Sequence, residues 1–73
     1  NMVPIYYLLG KYDSKFLEET KAYFNKIKNM YPNDVGTYVQ TAKYEKQLGL
    51  NEMYRSSIET INNLRPDLIE WAL

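Results

Sequence analysis

Cysteine and histidine are both absent from the 73 residues. Without thiols there is no disulfide framework and no thiolate site, and without imidazole the commonest metal ligand and general base is missing. Hydrolytic and zinc chemistry lose their usual parts. Charge of one sign is also lacking: nine Lys and Arg offset nine Asp and Glu, for a formal net charge of zero. Nothing in that balance draws the chain to a polyanion, so nucleic acid and anionic membrane are disfavoured partners. The longest apolar runs, such as residues 5–9 (IYYLL), are far short of the roughly 20 residues needed to cross a bilayer. No charged, apolar and small-residue leader opens the chain, so the expected location is intracellular, cytoplasmic or nuclear.

A single domain is the most that this length supports, and a chain so small buries only about 60% of its unfolded surface. Help from neighbouring structure is therefore expected. Asn1 before Met2 and the apolar residues 68–73 (LIEWAL) suggest an excerpt of a longer chain, since Trp71 and Leu73 need something to pack against.

Helical spacing dominates what is present. Pro4 suits the first turn of a helix, where its missing N–H costs nothing, and residues 5–9 follow until Gly10 is expected to interrupt. Asp13 or Ser14 offers an N-cap to a second helix, with Glu18 and Glu19 at its start and Lys26 and Lys28 at its end. Along it Phe16, Thr20, Phe24, Ile27 and Tyr31 recur at intervals of three and four, which puts them on one face. Pro32 ends it.

Asn33 or Asp34 caps a third helix, in which Val35, Tyr38, Val39 and Ala42 form one apolar stripe and Tyr44 and Leu48 a second. Two stripes imply contacts on two sides. Gly49 is a C-terminal stop, and Asn51 is the expected cap of a fourth helix carrying Tyr54, Ser57, Ile58, Ile61 and Leu64. Pro66 closes that helix, and Pro66 or Asp67 opens a further one.

NMYPND, residues 29–34, and NNLRPD, residues 62–67, place Pro32 and Pro66 34 positions apart. The same shift lays Phe24 on Ile58, Ile27 on Ile61, Asn29 on Asn63 and Met30 on Leu64. The second helix of each unit matches well, whereas the first does not, which implies a shorter first helix or a longer link in the leading unit. An amphipathic pair cannot bury its apolar face alone, so stacking on the next pair completes the core and leaves a concave binding surface.

A period of 34, two antiparallel helices and a closing proline resemble the tetratricopeptide repeat superfamily. The unit from Val35 to Pro66 carries the likeness, with Tyr38 at the helix A aromatic, Ala42 at its small position, Gly49 at the turn, and Ile58 and Ile61 on helix B. Tyr54, Ile61 and Thr41 depart from the family's usual choices, and bulk at the first two implies wider packing. TYVQTAKYEKQLG, with Arg55 and Glu59 after it, looks like a half-a-TPR repeat, and PNDVGTY and PDLIEW resemble the start of a pentatricopeptide repeat.

The resemblance implies an all-α fold of two antiparallel helical hairpins, about four helices plus a C-terminal stub, stacked as a right-handed α-solenoid fragment. Its units would be residues 3–32 and 33–66, with 67–73 beginning a further helix. The implied function is a non-catalytic protein-protein interaction or assembly scaffold, with no cofactor and no metal. An RNA-contacting repeat and a regulatory bundle attached to an enzyme are the alternatives.

The eight tyrosines include rings able to anchor a peptide or stack on bases, although most fall at helical spacing and suit core filling. The candidate interaction residues are Tyr6, Tyr7, Tyr38, Tyr44, Leu68, Trp71 and Leu73, facing another protein or peptide, or a second copy through the apolar ends. Lys11, Lys15, Lys21, Lys26 and Lys28 read as a solvated helix face rather than a phosphate stripe, since Glu18 and Glu19 interrupt them. Glu45, Glu52, Glu59 and Glu70 lack the paired spacing and the nearby nucleophile that catalysis needs.

Overall fold

The computed structural model describes residues 2–73, and among them every regular element is a helix. The α-helices are α1 (Val3–Tyr12), α2 (Leu17–Met30), α3 (Val35–Leu48) and α4 (Asn51–Leu64). A 3₁₀ turn, Ser14–Phe16, leads into α2, and a 3₁₀ helix, Pro66–Trp71, closes the chain. None of the described helices is long and apolar enough to cross a membrane.

Local chemistry accounts for most boundaries. Pro4 stands in the first turn of α1. Asp13 caps the 3₁₀ turn by accepting from the Lys15 N–H at 3.0 Å, and Asp34 caps α3 by accepting from the Gly36 N–H at 3.0 Å. Gly49 ends α3 at φ +74°, a left-handed conformation that a side chain would strain, and the Leu50 N–H then reaches back to the Glu45 carbonyl at 2.9 Å. Asn51 departs from expectation: it is the first residue of α4 rather than its cap, because Leu50 occupies the cap position and the reversed chain after Gly49 already sets the entry.

Gly10 also departs from expectation, since α1 runs through it to Tyr12. It is buried, and a Cβ there would lie 2.9 Å from the Thr20 hydroxyl, so the glycine lets α1 and α2 approach rather than ending a helix. Thr20 is fully buried and donates to the Tyr6 carbonyl at 2.7 Å, which fastens α2 across α1. α1 is shorter than α3, 10 residues against 14.

α3 is the central element, packed against α1 and α2 on one hand and against α4 and the terminal 3₁₀ helix on the other. This is the contact on two sides that its two stripes imply. Tyr38 and Ala42 of α3 form one buried cluster with Ile61 of α4 and Ala72 at the chain's end, bordered by Val35, Val39, Tyr54, Ile58, Leu64 and Ile69. Val3, Tyr7 and Phe24 fill the space on the α1 and α2 side.

Glu45 is wholly buried, against what its charge leads one to expect. Its Oε2 receives the Lys28 ammonium of α2 at 2.5 Å, and its Oε1 accepts from the Ser57 hydroxyl of α4 at 2.7 Å. Lys28 is therefore no part of a solvated stripe: its side chain keeps only 12% of its exposure. No buried side-chain nitrogen or oxygen among the described residues lacks a partner.

Substitutions at Glu45 and at Gly10 test this packing. Glu45→Ala leaves Lys28 and Ser57 without their acceptor and is expected to cost about 3 kcal/mol in urea unfolding, with Glu45→Gln costing less because it still accepts from Ser57. Gly10→Ala should gain helix propensity yet lose a net 1–2 kcal/mol or so through contact with Thr20, and adding Thr20→Ala should remove most of that contact penalty; additive losses would disprove the close-approach account.

Candidate functional site

The seven residues singled out in the sequence fall in different surroundings. Tyr7 is buried, its ring against Tyr44 at 4.5 Å between centroids, and its hydroxyl donates to Gln47 Oε1 at 2.6 Å. Tyr6 stacks on Tyr23 with centroids 4.3 Å apart and planes 8° apart. Tyr38 is buried beneath the Lys28 ammonium, 6.0 Å from its ring centroid, and donates to the Pro32 carbonyl at 3.1 Å. These three rings join α1, α2 and α3; Tyr7 and Tyr38 are buried, whereas Tyr6 stays half-buried beside a shallow depression with Glu19, Ala22 and Lys26.

Tyr44, Leu68 and Trp71 come together. With Val35, Gly36, Val39, Gln40 and Lys43 of α3 they line an open groove of about 450 Å³ between α3 and the terminal 3₁₀ helix. Its walls are largely aliphatic and aromatic, and Trp71 stands 62% exposed. Lys43 supplies the groove's one positive charge, and no ion pair to a described residue neutralises it. Leu73 lies elsewhere: it borders a second depression of about 350 Å³ with Tyr54, Arg55 and Ile58, and its carbonyl accepts from the Lys46 ammonium at 2.9 Å.

The chain after α4 is held in place by local contacts. Arg65 grips Asp67 through two bonds, Nε to Oδ1 at 3.0 Å and Nη2 to Oδ2 at 2.8 Å, at the entry to the 3₁₀ helix. The hydrogen bond from Arg65 holds the Asp67 carboxyl below the usual carboxylate range, and the same bond raises the Arg65 guanidinium. Ala72, buried against Tyr38, Ala42 and Ile61, anchors the far end. Leu68 and Trp71 are thus presented from a segment pinned at both ends.

Of the α3 wall of the groove, only Tyr44 was among the candidate residues. Val35 and Val39 stand one helical turn apart with Lys43 one turn further, so their common side was readable, but which side of α3 would stay uncovered was not. Among the described residues no group of three or more Asp and Glu is placed to hold a metal ion. Glu45, the candidate carboxylate in the interior, uses both oxygens on Lys28 and Ser57.

No protein-family model matches the chain, and neither a curated protein nor a solved structure does. The groove's chemistry consequently stands on its own residues. Trp71 is the single tryptophan and reports on it directly. In the free protein its fluorescence should be red-shifted and readily quenched by acrylamide; a blue-shifted emission resistant to quenching would mean that the groove is closed in solution.

Proposed function

We propose that the chain is a non-catalytic protein-interaction module built on a tetratricopeptide-like stack, and that the groove between α3 and the terminal 3₁₀ helix takes an apolar segment of another protein. The observation that carries this reading is the open groove lined by Val35, Val39, Leu68 and Trp71 with Lys43 beside them. An aliphatic or aromatic side chain gains by leaving water there, and a carboxylate on the same segment would answer Lys43.

The stack itself is supported by a recurrence one period apart. α3, which follows Pro32, packs on both α1 and α2, and the 3₁₀ helix that begins at Pro66 packs on both α3 and α4. Each proline thus stands at or just before an element that packs against both helices of the preceding pair.

An RNA-contacting role draws less support. Lys21 is within 3.4 Å of Glu18, and Lys28 is paired with Glu45 inside the fold, so the lysines of α2 do not present an unopposed stripe. Tyr6 and Tyr7 also have ring partners already.

Selection from a random library of displayed peptides on the immobilised chain tests the proposal. Peptides enriched in apolar residues with a nearby acid should shift Trp71 fluorescence, and Trp71→Ala should weaken their binding about 30-fold, as loss of a central aromatic anchor does. Lys43→Glu should weaken the acidic ones selectively. Failure to enrich any peptide, or equal binding to both variants, would overturn the groove as a docking site.

A further inference from the structure

The outward face of α1 is an apolar feature separate from the groove. Val3, Tyr7 and Gly10 turn inward and are buried. Met2, Ile5, Leu9 and Tyr12 follow at intervals of three, four and three residues, the spacing of a coiled-coil seam, and Leu8 lies beside them. All five are exposed, by 38% to 78%. Lys11 borders this face instead of interrupting it, with its ammonium 5.6 Å from the Tyr7 centroid and 5.9 Å from that of Tyr12.

We propose that this face pairs with the same face of a second copy of the chain about a two-fold axis. In such a contact residue i of one copy meets residue j of the other, and only groups near the axis meet their own duplicates, so a charge near the centre of the patch would meet a like charge. Met2, Ile5, Leu8, Leu9 and Tyr12 carry none, and Lys11 stands at the edge of the stripe, so the centre of the patch can meet its own copy without charge repulsion. The exposed surface of these five residues is on the order of 550 Å², so a pair that covered all of it would bury about 1,100 Å², close to the ~1,000 Å² at which specific interfaces begin. A reversible dimer in the micromolar range or weaker follows, not an obligate one.

The pairing uses a surface separate from the α3 groove and so stands or falls independently of it. Sedimentation equilibrium of the 73-residue chain, from micromolar to submillimolar concentration, should show the mass rising from one copy toward two and no further. Ile5→Lys should remain at one copy with an unchanged circular dichroism spectrum. Tyr12→Lys, which alters the most exposed member of the stripe, should do the same and keeps the test valid if Ile5→Lys misfolds. Trp71→Ala, which alters the groove alone, should dimerise as the parent does. A parent that stays single throughout, growth beyond two copies, pairing that survives Tyr12→Lys, or pairing abolished by Trp71→Ala would each overturn the proposal.

Discussion

A single buried carboxylate holds three helices in register. Glu45 projects from α3 and receives Lys28 of α2 on one oxygen and Ser57 of α4 on the other. Apolar burial rewards many arrangements of these helices almost equally, because the hydrophobic effect has no direction. A carboxylate withdrawn from water is tolerated only where both oxygens are answered, so a slip of α2 or α4 along α3 would carry a penalty of several kcal/mol. The clasp therefore ties the relative positions of α2, α3 and α4 to one another. It also places the Lys28 ammonium over the Tyr38 ring, whose hydroxyl is fastened to the link at Pro32.

α1 is joined differently. Gly10 permits close approach to α2, Thr20 fastens the crossing through the Tyr6 carbonyl, and Tyr7 reaches α3 through Tyr44 and Gln47. Much of the chain's aromatic content sits at these junctions. The apolar surfaces left outward include a stripe on α1 and the groove flanked by Trp71. The first suits a symmetric contact because its centre lacks charge; the second suits a different segment because it holds Lys43, which forms no ion pair with a described residue.

Helix ends were largely legible, because their causes are local. Pro32, Asp34, Gly49 and Pro66 act on the backbone within a residue or two, and each stands where its chemistry places a boundary. Gly10 misled for the same reason: a glycine within a helix looks like a break until the Thr20 hydroxyl, ten positions away, is known to lie against it. Lys28 and Glu45 misled too, since charge usually marks solvent. One signal was available: Glu45 continues the Tyr38 and Ala42 stripe at helical spacing, and Lys28 stands one turn beyond Phe24. Opposite charges on two inward stripes are what a buried pair requires.

The sequence by itself determined an all-helical chain, where most of its helices stop, and that α3 carries apolar residues on two sides, because propensity, capping and periodicity act over a few residues. Only the tertiary structure decided that Tyr6, Tyr7 and Tyr38 join helices while Tyr44, Leu68 and Trp71 line a groove. Those assignments depend on which helix covers which face, and that choice comes from contacts between residues distant in the chain, above all the clasp at Glu45.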